Sequence, residues 1–406
     1  MSMILRGATL IDGTGADPVR SASVRVEGDR IAAIGGGAKG DTAIDLEGCT
    51  LLPGLIDAHT HLGIAYAFEK AASISTAEIA AAVFRNCELA LDSGFTTCRD
   101  VAGLDGGIVQ AIEKGLVRGP RILPSGPALA QDGGHGTFMP RWSDCYCTIA
   151  LPGLVHPIDV CNGPDEVRLA ARKAFRRGAK QLKVFLSGGV VSLTDDLEDT
   201  QFSVDEIRAA VEEARARNTY VTAHAHNNRS VMNGLAAGVA CFEHGSWLDE
   251  ETAAAMAKAG AALVPTFTVA YVMKREREAW GLPELVIPRI EQVETAMTSA
   301  VRIARAAGLV IGSGSDLLGP NQRSRGLELM LRAAIEGPMS AIVSATATNA
   351  KILRIEDRIG TVEAGKLADL VAVRGDPLAE PALFGDPERV VFVTKGGVVE
   401  KDGRNE

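Results

Sequence analysis

Apolar residues along this chain are grouped in two styles. Between about residue 55 and residue 350, continuous apolar runs of strand length alternate with stretches whose apolar positions recur at helical spacing. A continuous run, unlike an alternating one, marks a strand buried on both faces, and its alternation with helices marks βα units and a parallel sheet. Eight such runs stand out, at 55–61, 96–100, 121–126, 181–186, 220–224, 241–244, 262–267 and 310–316. Eight strands close a (β/α)8 TIM barrel, in which the functional site lies at the carboxyl ends of the strands. One helix is sharply announced after Ser203, where Glu206 stands at capping-box spacing and Ile207, Ala210, Val211 and Ala214 mark one face.

The two ends are patterned differently. MILRGATLIDGTG, ASVRVEGDRIAAIG and AIDLEGCTLLPG at the start, and GTVEAGKLADLVAVRGDPL and RVVFVTKGGVVEKDG at the finish, are short strands punctuated by glycine. The expected architecture is therefore α/β, with a β-sandwich built from 1–54 plus 355–406 around a barrel over 55–354. One connection is anomalous. Residues 127–164 show no clear period, and a stretch that long inside a compact domain is usually a lid or binding loop. It carries His135, Phe138, Trp142 and Tyr146, so it is assigned to covering a substrate.

The 406 residues are 46% hydrophobic and 23% charged, as in an ordered globular protein. A net charge of −9 and the absence of any basic run argue against nucleic acid as the main ligand. The first residues lack the pattern of a signal peptide, and no apolar run is long enough to span a bilayer, so no membrane association and a cytoplasmic location are expected. The seven cysteines form no C-x-x-C pair and read as reduced thiols. Cys145 and Cys147 are close enough to share a metal, but no second pair accompanies them.

What changes the picture is where the polar residues fall. His59 and His61 end the first run, Lys183 lies inside the fourth, His224 and His226 end the fifth, His244 ends the sixth and Asp316 ends the eighth. Residues two apart on a strand share a face, so each H-x-H offers two imidazoles to one divalent ion, and Asp57 can support such a ligand from behind. Any one of these histidines alone reads as a hydrogen-bonded core residue; together they do not. Lys183 is costly as a buried cation, and desolvation favours the neutral amine, which can take up carbon dioxide and become a carbamate able to bridge two metals. The alternative is an ammonium that reaches solvent or pairs with Asp195 or Asp196. Asp316 follows GSGS, whose glycines let backbones approach closely, and suits either a helix N-cap or a carboxylate that binds metal and takes a proton from water.

With these residues in place the chain resembles the amidohydrolase superfamily over nearly its whole length, including the tail GTVEAGKLADLVAV. The resemblance implies that His59, His61 and Asp316 hold one metal, that His224 and His244 hold a second, and that carboxylated Lys183 bridges them. The stretches SGGVVSLTDD, DGGHG, FEHGSWLDEET and GSDLLGPNQR are similar to the prolidase and Xaa-Arg/Lys carboxypeptidase group, whose members cleave dipeptides or N-acyl amino acids, with related enzymes opening the amide of ochratoxin. It further implies zinc and a homo-oligomer, as large as an octamer. His226 stands where such relatives often have Tyr.

The expected chemistry is hydrolysis of an amide bond in a small substrate such as an Xaa-Pro dipeptide or an N-acyl amino acid. Two metals about 3.5–4 Å apart would make hydroxide available near neutral pH. Asp316 would shuttle the proton as catalytic base, His135 and His226 would steady the substrate, and Arg323 or Arg325 would either clamp its carboxylate or serve as solvated surface residues. Cyclic-amide hydrolysis or ring deamination uses the same fold, but Lys183 counts against a one-metal deaminase. A non-catalytic scaffold should have lost ligands, and none is missing.

Overall fold

The computed structural model of the chain describes residues 2–35, 42–66, 73–136, 142, 150–192, 194–280, 282, 284, 286–319 and 322–404. At its centre, Leu55–Thr60, Phe95–Asp100 and Arg121–Pro124 pair in parallel. A second parallel series runs through Ala128–Ala130, Leu182–Phe185, Val221–Ala225, Cys241–His244, Ala262–Val264 and Val310–Ile311. Two seams join the series. Ser125 to Pro127 kink the third strand, so that its first half bonds to strand two and its second half to strand four. On the other side, Ala58 N donates to Ser313 O at 3.0 Å and Asp316 N to His59 O at 2.8 Å. Asn349 Nδ2 holds the same seam by donating to both Ile56 O and Ser313 O. The result is an α/β fold of parallel strands, consistent with the expected (β/α)8 barrel.

Helices follow the strands, among them Thr76–Asp92, Gly163–Arg176, Val204–Arg215 and Asn228–Ala237. The capping box at Ser203 and Glu206 forms with both of its reciprocal bonds. The seventh connection holds three described helices, Phe267–Arg275, the short Arg277–Trp280 and Val286–Ala306. It begins earlier than the sequence pattern suggests, because Phe267 opens a helix and does not extend strand seven.

Residues 127–164 are not wholly a lid. Their first part, Ala128–Ala130, is barrel strand, and Ile158–Val160 pairs beside it in parallel. Phe138, Cys145, Tyr146 and Cys147 lie outside the described residues, and Trp142 is 88% exposed.

Strands from both ends of the chain, Ser2–Leu10, Val19–Glu27, Arg30–Ile34, Thr42–Asp45, Cys49–Pro53, Leu370–Arg374, Val390–Lys395 and Val398–Asp402, share one eight-stranded sheet. Cys49–Pro53 lies antiparallel to Leu370–Arg374 and ties the two ends together. Alternation sets its faces. Leu370 and Ala372 join a core with Leu5 and Val24, while Val371 and Val373 join Leu91 and Phe95 of the barrel layer. One face of the terminal sheet is thus fixed to the barrel by shared apolar burial. No described helix is long and apolar enough to cross a membrane.

Candidate metal centre and substrate cavity

The carboxyl ends of the strands open into one cavity, lined by His59, His61, His135, Lys183 and Asp316 together with the three histidines of strands five and six. On its first side, His59 Nε2 and His61 Nε2 approach the same oxygen of Asp316, at 3.3 and 3.1 Å. Four ligands at tetrahedral angles around a metal, with bonds of about 2.0–2.1 Å, stand about 3.3 Å from one another. The three side chains therefore already have the spacing of a ligand set.

Each member is held from behind. His61 Nδ1 bonds to Ala102 O at 2.8 Å, and His59 Nδ1 lies 2.6 Å from Glu243 Oε2. Glu243 is itself gripped by Arg99 at 2.6 Å and by the Thr222 hydroxyl, with both ionic partners fully buried. Burial opposes its ionisation, yet Arg99 and His59 hold Glu243 well below the usual carboxylate range. Asp57 fixes the backbone of both ligand segments, accepting from His59 N at 3.1 Å, Ser315 N at 3.0 Å and Ser315 Oγ at 2.6 Å. Gly314 makes the approach possible, since a Cβ there would sit 2.5 Å from that of His59.

Asp316 takes φ +54° and His244 φ +70°, left-handed values that non-glycine residues seldom adopt. Such strain costs about 1–3 kcal/mol per residue and gathers at functional sites. At His244 it has a visible use. Cys241 faces the barrel interior and Phe242 the outer core, so regular alternation would send His244 outward after Glu243. The chain turns at His244, which lines the cavity instead.

The second side is built of imidazoles. His224, His226 and His244 place ring nitrogens within 4.8 Å of one another, and His244 also groups with His59 and Asp316. Their supports are neutral: His224 Nε2 to Gly188 O at 3.1 Å, His226 Nδ1 to Ser246 Oγ at 2.8 Å, and His244 Nδ1 to Thr266 Oγ1 at 2.7 Å. Burial first, and then the neighbouring imidazoles, push His224 and His244 well below the ordinary histidine value. Burial likewise lowers His226 to about 4. Neutral rings with lone pairs facing one space are donors suited to a borderline-soft divalent cation.

Lys183 lies between the two sides, 1% exposed. Among the described residues it has no ion-pair partner, and burial lowers its pKa to about 8 despite the pull of Glu243 and Asp316. The carboxylates that might have neutralised it are engaged elsewhere, Asp195 with Gly189 N and Ser192, Asp196 with Arg289.

His135 stacks on His224 with centroids 4.4 Å apart. Gly189 is required beside it, because a Cβ there would fall 2.1 Å from the imidazole. Neither Arg323 nor Arg325 is among the described residues that line the cavity, and the surface role left open beside the carboxylate clamp is the one Arg323 takes. Arg325 is buried and donates to Asp57 Oδ2 at 2.7 Å, while Arg323 pairs with Glu388 at the surface. Sequence reasoning passed over Glu243 and Arg99. The signal was there, since each is a charged residue inside an apolar strand run, as Lys183 is.

Comparison with known proteins agrees with this geometry. The amidohydrolase family profile matches residues 50–399. An ochratoxinase of Aspergillus niger is 31% identical over 416 aligned positions, which cover 98% of this chain and 86% of that protein. The solved structure of a prolidase complexed with N-methylphosphonate-L-proline superposes with a TM-score of 0.92 at 35% identity, covering 99% of this chain and 100% of the other. A Xaa-Pro dipeptidase with methionine bound in its active site gives a TM-score of 0.87 at 31% identity, covering 98% and 99%.

Proposed function

The chain belongs to the amidohydrolase family, and from that premise we propose that it is a two-metal hydrolase that cleaves the amide bond of a small substrate, a dipeptide of the Xaa-Pro kind or an N-acyl amino acid. The observation that carries this reading is the convergence of His59, His61 and Asp316 from one side, and His224 and His244 from the other, on a buried Lys183 in a single cavity. His59, His61 and Asp316 would hold one ion and His224 and His244 the other, zinc being the metal that this donor set suits. Divalent cations bound there would polarise a scissile carbonyl and lower the pKa of water toward about 7.

The protein's own groups supply the rest. The lowered pKa of Lys183 leaves a substantial neutral fraction near pH 8. Its lone pair would form an N–C bond to carbon dioxide as one C=O π pair moves onto oxygen, and the nitrogen proton would pass to solvent, leaving a carbamate able to supply negative charge to the metals. Asp316 stays ionised because, although burial opposes it, His59 and His61 hold it well below the usual range. Its carboxylate can therefore accept a proton from the attacking water and return it to the leaving nitrogen. His135 and His226, both uncharged at neutral pH, face the cavity and orient the substrate by hydrogen bonds. On the same reading the terminal sheet is a small domain of 1–54 plus 355–406 beside a TIM barrel of 55–354.

A screen of dipeptides and N-acyl amino acids against metal-analysed protein tests this function. Hydrolysis should disappear on chelation and return with Zn²⁺. Turnover indifferent to prolonged chelator exposure removes the metals from the reaction. Asp316→Asn should lower kcat by about 10²–10⁴-fold with the fold intact by circular dichroism, and full activity in that variant refutes the carboxylate as base.

A further inference from the structure

Two of the helices after strand seven, Phe267–Arg275 and Val286–Ala306, form one wall of the cavity. Val269, Ala270 and Met273 share a face of Phe267–Arg275, and Ile290, Val293 and Met297 share a face of Val286–Ala306. The charges of these helices are directed away from it. Lys274 on the first pairs with Glu291 and Glu294 on the second, at 3.3 and 3.2 Å, and all three side chains reach solvent. Among the described lining residues, Lys183 and Asp316 are the sole members of the Asp, Glu, Lys and Arg set, and both belong to the candidate metal centre. A charged group lying along this wall would lose its hydration and find no partner of opposite charge among the described lining residues of these helices, whereas an apolar group would leave water at a gain. The two methionines add adaptability, because an unbranched thioether fills irregular gaps.

Resting on the amide-hydrolase reading above, we propose that the part of the substrate lying along these helices is a bulky, uncharged apolar group, branched aliphatic, thioether or aromatic, and that Met273, Val293 and Met297 set this preference. Basic side chains, one of the classes that the sequence leaves open, are excluded from this subsite. Met273, Val293 and Met297 carry no acid or base, so the wall sorts substrates without taking part in the proton transfers at Asp316.

Two matched series test the proposal on the metal-replete full chain: Xaa-Pro dipeptides and N-acetyl-Xaa acids, with Xaa as Gly, Met, Leu, Phe, Glu and Arg. In one series kcat/KM for Phe, Leu and Met should exceed that for Gly, Glu and Arg by about ten-fold or more, the discrimination that a few methylenes give in an apolar pocket. Met273→Ala should move the optimum toward the larger Phe, and Val293→Asp should erase the apolar preference and admit Arg. Calorimetric binding of N-acetylphenylalaninamide, N-acetylglycinamide and N-acetylargininamide gives a readout independent of turnover. Hydrolysis of Arg and Phe compounds at equal rates in both series overturns the apolar subsite while sparing the hydrolase reading. Selective binding of the Phe amide with no hydrolysis of any compound does the reverse, and absence of both binding and hydrolysis overturns the two together.

Discussion

The two sides of the candidate metal centre are held by different physics. Behind His59 stand a carboxylate and a guanidinium, Glu243 and Arg99, paired at 2.6 Å with no exposure to water. Behind His224, His226 and His244 stand a carbonyl and two hydroxyls. The first side also carries its own anion, Asp316, 3.3 and 3.1 Å from His59 and His61 but 3.9 Å from His244, and among the described residues the second side contributes none. A neutral cluster of imidazoles beside a charged, rigid one teaches what each side lacks. The first needs an orienting partner to keep its imidazole in the right tautomer, and the second needs negative charge from somewhere before it can hold a dication firmly. On the proposed two-metal reading, a carboxylated Lys183 would supply that negative charge.

Removing Lys183 should therefore have the largest effect. Lys183→Ala is expected to retain its fold, to bind less than the full complement of metal, and to lose hydrolysis of the best substrate. Short carboxylates such as acetate or propionate should restore part of the activity, since a carboxylate can occupy the place of the carbamate. Normal metal content and turnover in the variant would show that the neutral side needs no added anion. Next comes the anchor on the charged side. Glu243→Gln leaves a neutral group against both His59 and Arg99, and metal affinity measured by competition with a chromophoric chelator should fall by about 10–100-fold. Glu243→Ala strands the buried guanidinium and should also cost about 3–5 kcal/mol of stability. If the glutamine variant binds metal as tightly as the parent, Glu243 serves only the fold.

Single neutral contacts should matter less. Thr266→Val removes the hydroxyl that meets His244 Nδ1 at 2.7 Å. A hydrogen bond of this kind contributes about 0.5–1.5 kcal/mol net, so metal affinity should change by no more than about ten-fold. A larger loss than that of Glu243→Gln would reverse the ranking of the two sides.

How much of this was legible beforehand depended on whether the signal was local. His59, His61, Lys183, His224, His244 and Asp316 stood out because each interrupts or ends an apolar run, and the structure brings all six to one cavity. Glu243 carried the same signal beside His244 but was absorbed into the apolar run. Arg325 could not be placed from its own neighbourhood, because its partner Asp57 lies 268 residues away, and an arginine in a polar loop reads as solvated until that contact is seen. The continuation of the third strand at Ala128–Ala130 was hidden by Ser125, Gly126 and Pro127, which spell a turn and in fact make a kink between two strand halves. The apolar wall after strand seven was hidden for a related reason. Phe267 extends an apolar strand run, and nothing local says that the chain has already become helix.

A second buried glutamate sharpens the contrast with Glu243. Glu328 on Leu327–Glu336 accepts from both the amide and the hydroxyl of Thr268 at 2.9 Å through Oε2, while its Oε1 has no hydrogen-bond partner among the described residues. Without an arginine in Arg99-like contact, burial dominates and raises its pKa to about 8, the nearby Arg332 opposing only in part. The protonated acid is thus the folded form over a range where the unfolded chain, titrating near 4.5, is already ionised. Between those two values the native state binds more protons, so the contribution of Glu328 to stability is complete below pH 4.5 and is lost as pH rises toward 8. The slope approaches about 1.4 kcal/mol per pH unit at its steepest. Histidines with lowered pKa values contribute with the opposite sign, so the informative quantity is the difference between parent and Glu328→Gln in urea unfolding at pH 5, 6.5 and 8. The variant should gain relative stability steadily across that series. A difference that does not change with pH would mean that this carboxyl is already ionised in the folded protein, and that burial alone does not separate it from Glu243.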